Sequence, residues 1–378
     1  MVPAILALPG LDVLLAGLRR LGFTVIAPVE RSGAIVFGEV ESAAEIAAGV
    51  EDVQDGGSYR LRPRDDGALF AHTAGHDSVK RFLFPPAIAV WRARRDADGA
   101  MAIEPPPPPP RYAFIGVRSC DLHAVAIQDR VFLGDGRTDA DYASRRDSAF
   151  FVAVNCARAG GTCFCTSMGA GPHVEGGADL VLTELIDERG HRFLVEAGSE
   201  RGEALLCELS TRPATGDERA QADMQTERTA ASMGRSMDTD GLRELLQGNP
   251  EHPRWADVAE RCLSCGNCTL VCPTCFCSTA ENVTDLAGDE AAHTRLWDSC
   301  FTLEHSYVHG GSVRGTTRSR YRQWMTHKLS TWIDQFGTSG CVGCGRCITW
   351  CPVAIDITEE VAAIRSDDLR EGLDAIDR

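Results

Sequence analysis

The chain has 378 residues and a formal net charge of −16, with 44% hydrophobic and 24% charged residues. This length allows roughly two or three domains with ordinary cores. The negative charge disfavours nucleic acid as a partner, because phosphate binding needs a basic face. The 16 cysteines fall mostly at metal-ligand spacing, which is typical of a reducing compartment. No apolar run reaches the roughly 18 residues that span a bilayer, so we expect a cytoplasmic protein and no membrane partner.

The first part of the chain alternates short helical and strand-like segments. Residues 11–21 have helical spacing, and apolar runs bounded by Gly, Asp and Pro predict a mixed sheet. The predicted strands are residues 24–29, 34–37, 59–61, 68–70, 82–84, 87–91, 112–117, 149–154, 180–185 and 193–197. A run of prolines at 105–110 predicts a stiff polyproline II surface loop. These patterns indicate an α+β protein whose mixed α/β domain covers residues 1–210.

Four cysteines of this region come directly after predicted strands. Cys120 begins a helix after the strand at 112–117, and Cys156, Cys163 and Cys165 lie in a glycine-rich loop after the strand at 149–154. If these strands are neighbours, the four thiols meet at two adjacent strand ends, and a helix N-terminus favours a thiolate. We predict that the four cysteines bind a third [4Fe-4S] cluster, in addition to the two described next.

Two cysteine runs dominate the last part of the chain, residues 246–378. Residues 211–245 before it are polar and weakly periodic, and we predict a partly helical linker there. The runs CLSCGNCTLVCP and CVGCGRCITWCP, which begin at Cys262 and Cys341, share the spacing Cys-x-x-Cys-x-x-Cys-x-x-x-Cys-Pro. Bacterial ferredoxins bind [4Fe-4S] clusters with this spacing, and in two-cluster ferredoxins the fourth cysteine ligates the other cluster.

Crossed ligation gives two sets of four cysteines. We assign cluster A to Cys262, Cys265, Cys268 and Cys351, and cluster B to Cys341, Cys344, Cys347 and Cys272. Structural zinc is the main alternative for a Cys-x-x-Cys pair, but two runs of four do not suit one tetrahedral site. The long segment between the runs has helical periodicity. We therefore predict a mainly helical two-cluster ferredoxin domain for residues 246–378.

Other residues near these runs leave alternatives open. Cys275, Cys277 and Cys300 are weaker candidates for iron binding, which would need an outside fourth ligand, or they pack beside cluster A. Cys207 lies in an amphipathic pattern, LLCEL, where a small buried hydrophobe is expected. Basic side chains between the runs either offset cluster charge or form a solvated face; they are Arg318, Arg320, Arg322 and Lys328.

Motifs for nucleotide binding or covalent catalysis are missing from the sequence. It contains no Gly-x-Gly-x-x-Gly after a strand, no Gly-x-x-x-x-Gly-Lys-Ser/Thr loop and no Gly-x-Ser-x-Gly elbow. The patterns favour a non-catalytic electron-transfer protein. A catalytic alternative, an open iron site that reduces sulfur or sulfite, is disfavoured because the ligand sets are complete.

Several segments carry a family likeness, from about residue 11 to residue 357. They are RSCDLHA, NCARAGGTCFCTSMGAGP, CLSCGNCTLVCPTCFC, WDSC, RYRQWMTHK and GCVGCGRCITWCPVAIDI. Together they resemble the iron-sulfur beta subunit of soluble NAD(P)-linked nickel-iron hydrogenases, also called sulfhydrogenases. They are also similar to the A subunit of anaerobic sulfite reductase.

The resemblance implies a function within a heteromeric complex. In the hydrogenase family such a subunit relays electrons through three [4Fe-4S] clusters, beside a flavin subunit that handles NAD(P)H and a pair of small and large hydrogenase subunits. The alternative that the resemblance leaves open is the electron-transfer subunit of an anaerobic sulfite or sulfur reductase.

Overall fold

The computed structural model describes residues 2–73, 75–104, 106–134, 136 and 138–376, and for 369–376 the backbone alone. The strands are, in chain order, β1 (Ala4–Ala7), β2 (Thr24–Arg31), β3 (Ala34–Glu39), β4 (Val50–Asp55), β5 (Ser58–Pro63), β6 (Ala87–Arg95), β7 (Met101–Glu104), β8 (Tyr112–Val117), β9 (Phe150–Val154), β10 (Leu180–Asp187), β11 (Gly190–Ala197), β12 (Thr211–Pro213), β13 (Ser278–Thr284), β14 (Glu290–Trp297), β15 (Tyr307–Val308) and β16 (Gly311–Ser312).

The α-helices are α1 (Gly10–Arg20), α2 (Lys80–Leu83), α3 (Ser119–Phe132), α4 (Ala140–Ser148), α5 (Glu200–Leu206), α6 (Gly216–Ala231), α7 (Leu242–Gly248), α8 (Arg254–Arg261), α9 (Asn267–Leu270), α10 (Thr317–Thr326), α11 (Trp332–Phe336), α12 (Arg346–Thr349) and α13 (Ile357–Ile376). A π-helical turn, His327–Thr331, joins α10 to α11, and short 3₁₀ turns cover Ala43–Glu45, Cys165–Met168 and Glu304–Ser306. In the described part of the chain, no helix combines the length and apolar character needed to cross a membrane.

An eight-stranded mixed sheet forms the core of the N-terminal half, in the order β12-β1-β11-β10-β9-β8-β2-β3. The four central strands β10, β9, β8 and β2 are parallel, and their near-continuous apolar sequences suit burial on both faces. Helices α1 and α5 pack on one face through Leu14 and Leu205. Helices α3 and α4 cover the other face through Val125 and Tyr142. The carboxyl ends of β8 and β9 therefore open at the same edge.

The prediction of a mixed α/β fold is confirmed, but two predicted strands are wrong. Residues 68–70 form no strand and bend at Leu69 and Phe70, because the amides of these two residues donate to the carboxylate of Glu184, at 2.7 and 2.9 Å, in place of a neighbouring strand. Residues 82 and 83 belong to helix α2. Of the proline run, Pro105 lies outside the described residues, and 106–110 have no regular secondary structure.

The mainly helical character predicted for residues 246–378 is not confirmed. The hairpin β13–β14 inserts between the cysteine runs and pairs with β6 and β7 in a second sheet of four strands, ordered β13-β14-β6-β7. Its pairing with β6 runs from Glu290 opposite Arg94 to Leu296 opposite Ala87. The two halves of the chain thus share a sheet.

The predicted helix between the hairpin and the second cysteine run is present as α10, the π turn and α11. Its apolar face buries Tyr321, Trp324, Met325 and Leu329 in one cluster with Trp255 of α8. This group of buried apolar side chains also packs against five cysteines of the two runs.

Candidate iron-sulfur centres

The first cysteine run curls because its backbone turns left-handed twice. Helix α8 ends at Arg261, and Ser264 and Gly266 then adopt φ values of +51° and +77°. The Ser264 amide donates to the Sγ of Cys262 over 3.4 Å. These turns bring Cys262, Cys265 and Cys268 around one cavity.

The same cavity is lined by Cys351 from the end of the second run. The cysteines that line it are Cys262, Cys265, Cys268 and Cys351, together with Cys347 of the second run. Burial, followed by the charges of the other three cysteines, raises the pKa of Cys268 well above its usual value. The structure therefore places the four cysteines assigned to cluster A together.

The second run repeats this geometry. Gly343 and Gly345 adopt φ values of +65° and +73°, and the Gly343 amide donates to the Sγ of Cys341 over 3.4 Å. Burial, followed by the charges of Cys341, Cys344 and Cys272, raises the pKa of Cys347 well above its usual value. The structure thus places Cys272 of the first run with the cysteines of the second, as in the set assigned to cluster B.

The four N-terminal cysteines also come together. The strands β8 and β9 are parallel neighbours, so Cys120 at the start of α3 and Cys156 after β9 leave the same edge of the sheet. Burial, followed by the charges of Cys163, Cys156 and Cys344, raises the pKa of Cys165. Burial is also the main cause that raises the pKa of Cys120, and the charges of Cys344 and Cys165 add to it. This quartet therefore lies beside the cluster B quartet.

Glycines leave room for the thiols of the N-terminal quartet. A Cβ atom on Gly160 would lie 3.3 Å from the Sγ of Cys163, and one on Gly171 would lie 3.5 Å from the Sγ of Cys165. Gly171 also has a φ of +141°, which disfavours other residues. The loop GGTCFCTSMGAGP needs these glycines for a close approach of backbone to sulfur.

The donor chemistry of all three quartets fits [4Fe-4S] clusters, which proteins hold with four thiolates. Buried thiols with raised pKa values remain protonated without a nearby positive charge, and iron supplies that charge as the protons leave. In the described ranges, no three His, Cys, Asp or Glu side chains are grouped around the position of a single metal ion.

Close backbone packing joins the second run to the N-terminal cysteine loop. The Phe164 amide donates to the carbonyl oxygen of Gly343 over 2.8 Å. A Cβ atom on Gly345 would lie 2.3 Å from the carbonyl oxygen of Thr162. No side chain fits between these two loops, so the cluster B and N-terminal quartets are held side by side.

We predict that Gly345→Ala destabilises the protein and lowers its iron content, because the new methyl group meets the Thr162 backbone. Gly241→Ala is the matched control, since Gly241 has a φ of +59° and open space around its Cβ position. The left-handed backbone alone costs about 1–2 kcal/mol in both variants. Denaturant unfolding with iron analysis should show a further loss of at least about 2 kcal/mol for Gly345→Ala alone. Equal losses in the two variants would contradict this packing.

A buried arginine bridges the cluster B and N-terminal quartets. Arg346 is 1% exposed, and its Nη2 donates to the Asp121 carboxylate over 2.8 Å. Its guanidinium also hydrogen-bonds Cys344. On the other side of the N-terminal quartet, Arg118 hydrogen-bonds Cys156 and donates to the carbonyl oxygen of His72 over 2.8 Å. Sequence reasoning missed both arginines, although each stands within two residues of a predicted ligand.

A buried lysine contacts the cluster B quartet. Lys328 is 2% exposed and lies on the π turn, where its Nζ donates to the Sγ of Cys272 over 3.2 Å and of Cys275 over 3.4 Å. Of the four basic residues singled out from the sequence, Lys328 is the one at a cluster thiol. Arg318 and Arg322 pair with the exposed Glu251, and the fourth, Arg320, donates to the Arg314 carbonyl oxygen.

The remaining cysteines divide into separate environments. Cys275 hydrogen-bonds Cys272, whereas Cys277 hydrogen-bonds Cys300. Cys207 is exposed, so the prediction that it is buried is wrong. Helix α5 ends at the buried Leu206, and Cys207 is the next residue, beyond the buried face of the helix.

Comparison with known proteins agrees with these centres. Residues 261–355 match the 4Fe-4S dicluster domain family. The chain is therefore an iron-sulfur protein whose C-terminal half contains a domain for 4Fe-4S clusters. It is also 33% identical over 306 residues to the sulfhydrogenase 2 subunit beta of Pyrococcus furiosus, an alignment that covers 78% of this chain and 83% of the relative. The chain belongs to the family of sulfhydrogenase beta subunits. No solved structure matches it.

Proposed function

We propose that this chain is the iron-sulfur electron-transfer subunit of a cytoplasmic nickel-iron hydrogenase complex. It relays electrons between a flavin subunit that handles NAD(P)H and the small and large catalytic subunits. The observation that carries the proposal is the continuous series of three cysteine quartets. Membership of the sulfhydrogenase beta family supports the hydrogenase context.

The proposed ligands follow the three quartets. Cluster A takes Cys262, Cys265, Cys268 and Cys351; cluster B takes Cys341, Cys344, Cys347 and Cys272; the N-terminal cluster takes Cys120, Cys156, Cys163 and Cys165. When bound, each cluster accepts and releases one electron at a potential set by charge, hydrogen bonds to sulfur and exposure. The protein supplies those hydrogen bonds from backbone amides and from Arg118, Arg346 and Lys328.

The quartets support a linear order, with cluster B in the middle. Cys347 of the B quartet also lines the cavity of the A quartet. On the other side, the charge of Cys344 raises the pKa of Cys120 and Cys165 in the N-terminal quartet. The A quartet is open at one end, where Cys265 is exposed beside the exposed Leu263. We therefore infer that cluster A is the terminus that faces a partner subunit.

The domain organisation that accompanies this proposal has two cluster-bearing parts, residues 1–210 and 246–378, joined by residues 211–245. Helix α6 lies in the joining segment, which supports its partly helical character. Within that segment, β12 pairs with β1 at the edge of the large sheet.

We predict that the isolated, flavin-free protein takes electrons from a low-potential donor but has no hydrogenase or NAD(P)H oxidase activity. The reason is that its cysteine quartets are complete and the sequence carries no nucleotide motif. Anaerobic assays with reduced methyl viologen, followed by cluster absorbance, measure the first property, and NAD(P)H consumption measures the second. Steady NAD(P)H turnover by the pure protein would refute the proposed role.

A further inference from the structure

Two cysteines outside the three quartets meet at the base of the β13–β14 hairpin. Cys277 precedes β13 and Cys300 follows β14, and the Asp298 amide donates to the Cys277 carbonyl oxygen over 2.9 Å, which closes the hairpin. The two thiols hydrogen-bond each other. Both residues are partly exposed.

A histidine and a carboxylate are hydrogen-bonded in series to this pair. His305 hydrogen-bonds Cys277, and its Nδ1 lies 2.8 Å from Oδ2 of Asp298. Asp298 is itself fixed, because the Thr302 hydroxyl donates to its other oxygen over 2.7 Å. A thiol beside an imidazole that a carboxylate orients is the arrangement that activates cysteine nucleophiles.

The electrostatics agree with that arrangement. The pKa of Cys277 is lowered to about 4, and the largest cause is the hydrogen bond from Cys300. Burial, the next largest effect, opposes this shift, and the hydrogen bond from His305 adds to it. The hydrogen bond to Cys277 is the largest cause that raises the pKa of His305 to about 9. The hydrogen bonds place His305 to take the proton of Cys277, with Cys300 as the second thiol of the pair.

The pair also lies between the two C-terminal quartets. On one side, the charge of Cys268 in the A quartet acts on Cys300. On the other side, the charge of Cys277 acts on Cys275, which hydrogen-bonds Cys272 of the B quartet. The pair is therefore close enough to thiols of both quartets for their charges to act on one another.

We propose that Cys277 and Cys300 form a dithiol site that reduces the sulfur–sulfur bond of a small disulfide with electrons from clusters A and B. This inference rests on the proposed electron relay and adds a second outlet to it. Cys277 is the attacking residue, Cys300 resolves the mixed disulfide, and His305 carries the proton.

The reaction balances in three steps. The Cys277 thiolate attacks one sulfur of the substrate R–S–S–R, which forms a Cys277–S–S–R bond and breaks the substrate bond; the leaving thiolate takes the His305 proton. The Cys300 thiol loses its proton to His305 and attacks Cys277, which forms the Cys277–Cys300 disulfide and releases the second thiolate RS⁻, protonated in turn from solvent. Two electrons from clusters A and B and one proton from solvent then restore the starting Cys277 thiolate and Cys300 thiol, because His305 already carries its proton. The sum is one disulfide, two electrons and two protons giving two thiols.

The test uses the full-length protein with its clusters, under anaerobic conditions. Reduced methyl viologen serves as donor and bis(2-hydroxyethyl) disulfide as substrate, and viologen oxidation is followed. We expect disulfide-dependent oxidation in the wild type, a loss of at least about 100-fold in Cys277→Ser and Cys300→Ser, and a loss of at least about tenfold in His305→Gln. Cys207→Ser is the matched control and should match the wild type.

Two further measurements separate the explanations. In wild-type protein oxidised by the substrate, peptide mapping after alkylation should find one new disulfide, between Cys277 and Cys300, with unchanged iron content. Loss of about four irons in Cys277→Ser or Cys300→Ser would overturn the inference, because these residues would then be cluster ligands. If viologen reduces the clusters but no disulfide is turned over, this inference alone is overturned. If viologen cannot reduce the clusters, the proposed electron relay is overturned as well.

Discussion

Replacing Cys351 with serine is expected to remove or convert the cluster held by the first cysteine run, and to leave the cluster of the second run in place. The reason is the crossed geometry: Cys351 lines the cavity of Cys262, Cys265 and Cys268, although it is 83 residues or more from each of them in sequence order, as their numbers show. The variant should lose between one and about four irons per chain. Iron analysis and EPR spectroscopy of the dithionite-reduced protein measure the loss and identify the cluster.

The mirror variant, Cys272→Ser, should have the opposite effect and perturb the cluster of Cys341, Cys344 and Cys347. Cys207→Ser is the control, because Cys207 is exposed and outside every quartet. Cys341→Ser identifies the signal of the second-run cluster, because it removes that signal. If Cys351→Ser changes this same signal and Cys272→Ser leaves it intact, each run closes its own cluster. The crossed assignment would then be wrong.

The second large effect is expected from Lys328→Met, which should lower the reduction potential of cluster B by about 100 mV. The ammonium group of Lys328 lies 3.2 Å from the Sγ of Cys272, and a positive charge stabilises the reduced, more negative cluster. A unit charge about 6 Å from the added electron stabilises the reduced cluster by roughly 2–3 kcal/mol at an effective dielectric constant of about 20. For a one-electron couple, about 1.4 kcal/mol corresponds to about 59 mV. An EPR-monitored redox titration measures the shift.

Arg318→Met is the matched control, because Arg318 lies on the same helical segment but pairs with exposed Glu251. It should leave every cluster potential within about 20 mV of the wild-type value, since surface charges are screened. Lys328→Met also removes hydrogen bonds to Thr274 and to the Gly340 carbonyl oxygen, so its iron content and melting temperature must be measured in parallel. A fully loaded variant with an unchanged cluster B potential would contradict the electrostatic role of Lys328.

The sequence allowed the three cysteine quartets to be predicted because local spacing limits where the thiols can point. Two-residue gaps curl each run, and Pro273 and Pro352 carry the fourth cysteine away. The N-terminal quartet followed from the position of Cys120 and Cys156 after two buried apolar strands. Such strands pair in parallel in α/β domains, so their carboxyl ends meet at one edge. Whether these residues bind clusters stays a prediction.

The buried charges could not be predicted in the same way, because their partners are distant in the chain. Arg346 is paired with Asp121, and no local pattern connects these two positions. Lys328 is a partial exception. It follows Trp324 by four residues and Met325 by three, which places it on the buried helical face, so the periodicity held a signal for a buried lysine.

The hairpin between the cysteine runs was not predicted, for a similar reason. Its strands β13 and β14 are polar and largely exposed along β13, so they lack the apolar alternation that marks a strand. The hairpin is stabilised by pairing with β6, a strand nearly 200 residues earlier, as in the pair formed by Ala291 and Ala93. Pairing over that separation depends on the tertiary structure, which brings Cys277 and Cys300 together as a consequence.

The measurement that tests the central claim most directly is a quantitative reductive titration of the purified full-length protein, combined with iron and acid-labile sulfide analysis. A relay of three [4Fe-4S] clusters predicts about twelve irons and about twelve sulfides per chain, and an uptake of about three electrons. The N-terminal variant Cys156→Ser should lower these values towards about eight irons and about two electrons. The three-cluster relay would be contradicted if the wild-type protein holds about eight irons and takes up about two electrons, and if Cys156→Ser gives the same values.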